Sequence, residues 1–239
     1  AGTWAVISAG EHGWGIPQLA AAAVGAGLLI GFVAVERRVP EPMLPPGLFA
    51  GRGFTVAVTV GFCLNVSFFG QLFVLSLFFQ RTLGLDAWDA GLALAPQACS
   101  AVVAAPLGGR AAARFGAFPA MLTGLVLGAA GFAGTAFIGP GTAPLVVSGV
   151  TFAAGFGMAF AMPAATAAAV SAVPDELAGT AGGVVNAARQ TGSVVGVAVL
   201  GGVVAADASP SGFRVALLLA AGIFIAAAAL VAAAARDPA

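Results

Sequence analysis

Long apolar runs, each interrupted by a few polar residues, repeat along this chain. A membrane-crossing helix takes about 20 mostly apolar residues. Seven segments reach that length: 17–35, 54–79, 89–109, 117–138, 143–171, 184–206 and 213–235. Lipid offers no partner to backbone N–H and C=O groups, so a spanning segment must be a helix or a strand of a closed barrel. Barrel strands alternate apolar and polar positions over about 10 residues. The runs here are longer and apolar throughout, which selects helices. Ala1 to Ala9, "AGTWAVISA", reads as the tail of a further membrane helix already under way. The chain is therefore expected to be the C-terminal part of a longer protein.

The breaks carry local signals of their own. In "LDAWDAGLALAP", Asp86 stands three residues ahead of Asp89, which predicts an approximate capping box opening the third run. Trp88 falls at the depth where membrane helices place aromatic rings. The stretch "RRVPEPMLPPGLFAGRG" (37–53) is rich in proline and cannot form one continuous helix, so it predicts a linker. "PDELAG" puts Asp175 and Glu176 in a first helical turn, where carboxylates favour the helix dipole. Glycines crowd the runs, with Gly124, Gly128, Gly131 and Gly134 in one and Gly149, Gly155 and Gly157 in the next. Small residues let membrane helices approach closely. Packing accounts for them most simply; surfaces that slide or bend in a conformational cycle are the functional alternative.

Composition supports the membrane assignment. Only 8% of the 239 residues are charged and 60% are hydrophobic, where a soluble domain carries about 25% charged residues. That leaves too little polar surface to cover a globule in water. Net charge is zero, so nothing points to a nucleic-acid partner. Cys63 and Cys99 lie in apolar runs and are expected as small buried hydrophobes, not a disulfide. All nine basic residues are arginines, and their placement sets orientation. Arg37, Arg38, Arg52, Arg110, Arg114, Arg189 and Arg236 fall on one side of the alternating runs, and only Arg81 and Arg214 on the other. The first side is expected to be cytoplasmic, with the C-terminus inside.

The candidate chemistry is sparse. The single histidine, His12, lies beside Glu11 near the start of the chain, so no Ser-His pairing and no zinc site is expected. No glycine-rich phosphate loop occurs, no cofactor is implied, and the chain is not expected to be an enzyme. No acidic residue falls near the middle of a run, although intramembrane carboxylates are the usual proton relays. Polar side chains inside the runs remain. Asn65, Ser67 and Gln71 fall in the 54–79 run, where positions 64, 68 and 71 share a face bordered by Asn65. Gln97 follows Pro96. Asn186, Arg189, Gln190 and Ser193 line one face at spacings i, i+3, i+4 and i+7. Such groups must face protein or a water-filled cavity. Hydrogen bonds between helices and the lining of a substrate path both fit, and Arg189 is placed to snorkel to the cytoplasmic interface.

Three stretches resemble a known family. "PLGGRAAARFGAFPAM" (106–121) resembles the cytoplasmic-loop signature G-x-L-x-D-R-x-G-R-R of major facilitator transporters. "GFGMAFAMPAATAAAVSAVPDELAGTAGGVVNAARQTGSVVGVAVLG" (155–201) resembles the late spans of the fourteen-helix drug:proton antiporters, and "ERRVPEPMLPPGLFAGRGF" (36–54) the linker into their second bundle. The loop signature keeps Gly109, Arg114 and Gly116, but its aspartate is Ala113 and its last two basic positions are Ala117 and Phe118. Its latching charge pairs are therefore largely missing.

The resemblance implies an all-α polytopic membrane protein. The chain would hold the C-terminal six-helix bundle of a major facilitator fold plus one and a fraction inserted helices. Residues 1–35 would hold the end of one helix and one full inserted helix, 36–53 a cytoplasmic linker, and 54–239 the bundle. The implied function is export of lipophilic drugs or metabolites by proton antiport with alternating access, in the cell membrane, together with an N-terminal half. Asn65, Gln71, Gln97, Asn186, Gln190 and Ser193 are the candidates for the substrate path, and Gly192 and Gly196 form a G-x-x-x-G pair for a close neighbour. A proton symporter or uniporter of a metabolite would share the fold, and a non-transporting membrane scaffold is the remaining alternative.

Overall fold

The computed structural model describes residues 46–236 and, ahead of them, the single helical positions Val24, Gly27 and Gly31. The expectations for 1–9, for His12, for most of 17–35 and for the first part of the proline-rich linker lie outside the described residues. The chain divides into two compact units, Ala1–Ala50 and Gly51–Ala239. In the first, Pro46–Ala50 forms a 3-10 turn.

The second unit contains six long helices and, among the described residues, no strand. These are α1 (Arg52–Leu77), α2 (Ala87–Phe115), α3 (Ala117–Thr135), α4 (Pro144–Ser171), α5 (Ala178–Ala206) and α6 (Pro210–Arg236). A π-helical turn, Phe78–Thr82, prolongs α1, and a 3-10 turn, Asp175–Leu177, leads into α5. All six are long and apolar enough to cross a membrane. They match the last six predicted runs in order.

Two boundaries differ from the sequence reading. α2 runs through Gly108, Gly109 and Arg110 to Phe115, six residues past the predicted end. It stops at Gly116, whose φ of 92° and ψ of 157° fall in a region open essentially to glycine alone. α5 begins six residues before its predicted start, because Gly182 and Gly183 are helical here and do not break the chain. Low hydropathy ends an apolar run, but it does not end a helix whose backbone bonds continue. Pro96, Pro106 and Pro163 likewise sit inside α2 and α4. Membrane helices tolerate such prolines when neighbouring groups satisfy the freed carbonyls.

The predicted start of α2 holds: the Asp86 carboxylate accepts the Asp89 N–H at 2.8 Å, and Trp88 is exposed beside it. Helices pack crosswise, with the most extensive contacts between α1 and α5, α3 and α4, and α2 and α4. In each pair backbone meets backbone at glycine. A Cβ added at Gly196 of α5 would run into the Val66 carbonyl of α1, and one at Gly70 of α1 would stand 2.6 Å from the Gly196 carbonyl oxygen. Gly108 faces the Phe160 carbonyl, Gly155 the Gln97 carbonyl, and Gly157 the backbone of Gly128. Gly149 does not share this role, since nothing lies within 4 Å of its would-be Cβ. Aromatic pairs fill the seams around α6, with Phe132 and Phe224 at 4.7 Å and Phe78 and Phe213 at 5.5 Å between centroids. Arg214 tethers α6 to the end of α3, donating from Nε to the Ala136 carbonyl at 3.2 Å over the Phe137 ring. The cysteines are free, and Cys99 is exposed where burial was expected.

Candidate functional site

Polar side chains inside these helices fall into three groups. The first is a buried amide pair joining α1 to α2. Gln97 Nε2 donates to Gln71 Oε1 at 2.8 Å, and both residues are buried. The pair uses half of what two amides offer. Gln71 Nε2, Gln97 Oε1 and the hydroxyl of buried Ser67 bond to no group among the described residues. Ser100 closes the neighbouring turn by donating to the Gln97 carbonyl at 2.7 Å. Gly155 lets α4 approach that same carbonyl.

The second group lies in the α1–α5 seam. Buried Asn65 donates from Nδ2 to the Gly61 carbonyl at 3.0 Å, and its Oδ1 accepts the Ser193 hydroxyl at 3.3 Å. The same hydroxyl proton is shared with the Arg189 carbonyl one turn back, at 3.1 Å. The aliphatic stem of Arg189 lies over Gly61, its Cγ 3.5 Å from where a glycine Cβ would stand. Its Nε is buried and bonds to no group among the described residues. Because α5 starts at Ala178, Arg189 stands eleven residues into the helix, about 16 Å along its axis at 1.5 Å per residue. The sequence reading placed it near the helix start, within snorkelling reach of the interface; in the longer helix it stands clear of both end turns.

The third group is the outer flank of α5. Asn186 and Gln190 are exposed on the six-helix unit, beside Arg189 on the helix surface. Thus the six sequence candidates separate: Asn65, Gln71 and Gln97 are enclosed by the unit, Ser193 is half-buried at a seam, and Asn186 and Gln190 project from it. The loop-signature residues stand elsewhere, at the α2–α3 corner. Gly116 makes the turn, exposed Arg114 lies over the Phe115 ring at 5.2 Å, and Gly109 stays inside α2 facing Pro163. Sequence reasoning missed the contact between Gln71 and Gln97 and the distance of Arg189 from the helix start. The first needs the helix arrangement, and the second turns on the true start of α5. No group of three or more His, Cys, Asp or Glu among the described residues could hold a metal.

Comparison with known proteins fits this architecture. The model of the Major Facilitator Superfamily matches residues 2–197 and 60–239. The methylenomycin A resistance protein of Streptomyces coelicolor is 37% identical over 200 residues, which are 83% of this chain and 42% of that protein. The tetracenomycin C resistance and export protein of Streptomyces glaucescens is 31% identical, over 83% of this chain and 37% of its own. The multidrug efflux pump LfrA of Mycolicibacterium smegmatis is 34% identical, with 83% and 39% covered. The chain thus spans about two fifths of the length of these relatives. Among solved structures, the nucleoside transporter NupG superposes with a TM-score of 0.62 at 18% identity, over 98% of this chain and 64% of that one. At that identity the likeness is one of fold.

Proposed function

The chain belongs to the Major Facilitator Superfamily, and from that premise we propose that it supplies the C-terminal half of a secondary transporter that exports lipophilic drugs or metabolites in exchange for protons. It is a multi-pass membrane protein. Residues 1–35 provide the end of one inserted helix and one full inserted helix, 36–53 a cytoplasmic linker, and 54–239 the second bundle. An N-terminal half completes the fold, and transport proceeds as the two bundles rock around a midplane site. The linker and the Arg110–Arg114 segment lie on the cytoplasmic side of the cell membrane that holds the protein, and the C-terminus is inside. Its role is movement of solute, not catalysis.

One observation carries the reading. Asn186 and Gln190 project, clear of the end turns and beside Arg189, from a helix that is mostly apolar. Polar side chains at that depth face protein or a water-filled path. The six-helix unit leaves them uncovered, so a second bundle and an aqueous path between the two account for them. Kinship with proteins named for resistance and export supports drugs or metabolites as the cargo.

The test is dye efflux from proteoliposomes holding the full-length protein under an imposed proton gradient. Efflux that collapses with a protonophore is expected. Efflux indifferent to the gradient would leave a uniporter, and gradient-driven uptake a symporter. A cysteine at Ala50 or Ala112 labelled from outside intact cells by an impermeant thiol reagent would overturn the orientation.

A further inference from the structure

Among the described helices one arginine, Arg189, stands clear of the end turns, and no acidic residue of 46–236 lies on its helix or on those packed against it. Arg52, Arg81, Arg110, Arg114, Arg214 and Arg236 lie in or next to the end turns of their helices; Arg189 does not. Every acidic residue of 46–236 also sits at a helix end: Asp86 and Asp89 open α2, Asp175 and Glu176 precede α5, and Asp207 follows it. Asp175 is fourteen residues from Arg189, about 21 Å along a helix axis. The helices packed on α5 are α1, α4 and α6, and none contains an acidic residue. A guanidinium carries five N–H donors in a planar fork matched to a carboxylate. Here its Nε is buried with no acceptor among the described residues. Cationic side chains at membrane depth pair with an anion or with carbonyls, and they mark functional paths.

The neighbours of Arg189 suit an anion. Asn186 and Gln190 stand three residues before and one after it on the exposed flank, each with an amide N–H₂ to donate. Ser193 is committed inward to Asn65 and to the Arg189 carbonyl. The stem of the arginine is held against Gly61, which limits the positions the guanidinium can take. A fixed cation beside two amides is a carboxylate-binding arrangement.

We propose that Arg189, flanked by Asn186 and Gln190, is a carboxylate-binding site within the membrane on the α5 face of the transport path. The proposal deepens the transport reading and rests on it for what the α5 flank faces. Two sources supply the chemistry: the carboxylate of a transported solute, or an acidic side chain of the bundle that completes the fold.

Full-length protein in lipid nanodiscs is titrated, by fluorescence anisotropy, with rhodamine B and with its ethyl ester, which keeps the xanthene cation and masks the carboxylate. With a solute carboxylate as the source, Arg189→Gln weakens rhodamine B at least tenfold and leaves the ester unchanged, and Arg189→Lys restores part of the loss. With a protein carboxylate as the source, Arg189→Gln changes both dyes alike and lowers the melting temperature. Neutralising one acidic residue in the membrane spans of the other bundle then restores that temperature. If wild type binds neither dye, this rescue alone decides. An unchanged acid-to-ester ratio, with no neutralisation that rescues the variant, overturns the site. The two readings fail separately. Protein that moves no dye across a liposome yet keeps an Arg189-dependent preference for the acid loses transport and keeps the site. Protein that pumps dye while Arg189→Gln is silent in every assay keeps transport and loses the site.

Discussion

The α3–α4 seam and the α1–α5 seam are closed by the same device but filled differently. In both, glycine backbones meet the facing helix: Gly124, Gly128 and Gly131 against Gly157 and Ala154 in one, Gly70 against Gly196 and Gly192 against the Phe62 carbonyl in the other. The first is dry. The buried hydroxyls of its two helices bond back to their own chains, Thr135 to the Phe132 carbonyl at 2.7 Å and Thr151 to the Val147 carbonyl at 2.8 Å. The second carries Asn65 bonded across to Ser193, with Arg189 beside them. Close glycine packing therefore needs no polar side chain to hold two of these helices together. An interhelical hydrogen bond in a membrane contributes only about 0.6 kcal/mol on average. The polar content of the α1–α5 seam is better explained by what lies on its far side than by association.

The largest effects should be shared by both seams. Gly157→Val drives a side chain into the Gly128 backbone, and Gly196→Val drives one into the Val66 carbonyl. Backbone cannot swing aside as a flexible side chain can. Overpacking ordinarily costs 1–3 kcal/mol and sometimes more, and each of these variants should lie at or above about 3 kcal/mol. Membrane abundance and melting temperature of the full-length protein should fall together for both. Gly149→Val, at a position with open space, should change neither. If Gly196→Val were tolerated and Gly157→Val were not, the two seams would not be closed alike.

A middle-sized effect tests the amide pair. Gln97→Leu leaves Gln71 buried with neither carbonyl nor amide engaged. A buried polar group stripped of its partner costs about 1–3 kcal/mol. The double variant Gln71→Leu/Gln97→Leu should recover most of the loss, because removing both partners together can be close to neutral. If the pair holds only the helices, transport should recover with stability. Recovery of melting temperature without recovery of transport would give the pair a second role in solute or proton movement.

The fold was largely legible and the site only in part, for one physical reason. Apolar runs report which residues can meet lipid, so all six described helices were found in order. They report less about where backbone hydrogen bonding stops. Gly108 and Gly109, like Gly182 and Gly183, lower local hydropathy while staying helical. That error is harmless at the end of α2. At the start of α5 it moves Arg189 from near the helix start into the helix interior. Periodicity correctly grouped Asn186, Arg189, Gln190 and Ser193 on one side of a helix, but not how that arc is divided. Ser193 turns inward to Asn65 while Asn186 and Gln190 face out, a division set by how α5 is rotated against α1. Gly116 is the converse case: the loop resemblance kept a glycine there, and the backbone shows the need for it, since φ of 92° excludes other residues.

Smaller changes separate the inward and outward members of that arc. Ser193→Ala removes one bond of 3.3 Å to Asn65 and should cost about 0.6 kcal/mol, a shift near the resolution of a melting curve. Gln190→Leu should cost less still, since Gln190 is exposed and makes no hydrogen bond among the described residues. The two variants should part company in transport. Ser193→Ala should reduce efflux of every substrate by the same modest factor. Gln190→Leu should leave membrane abundance at the wild-type level and shift the substrate profile toward more apolar compounds, because a hydrogen-bonding wall of the path becomes a hydrophobic one. A resistance panel across several drugs, normalised to abundance, reads both. If Gln190 faced lipid instead, leucine would raise the melting temperature and leave the profile as it was, and the contrast between a dry seam and a polar one would reduce to packing alone.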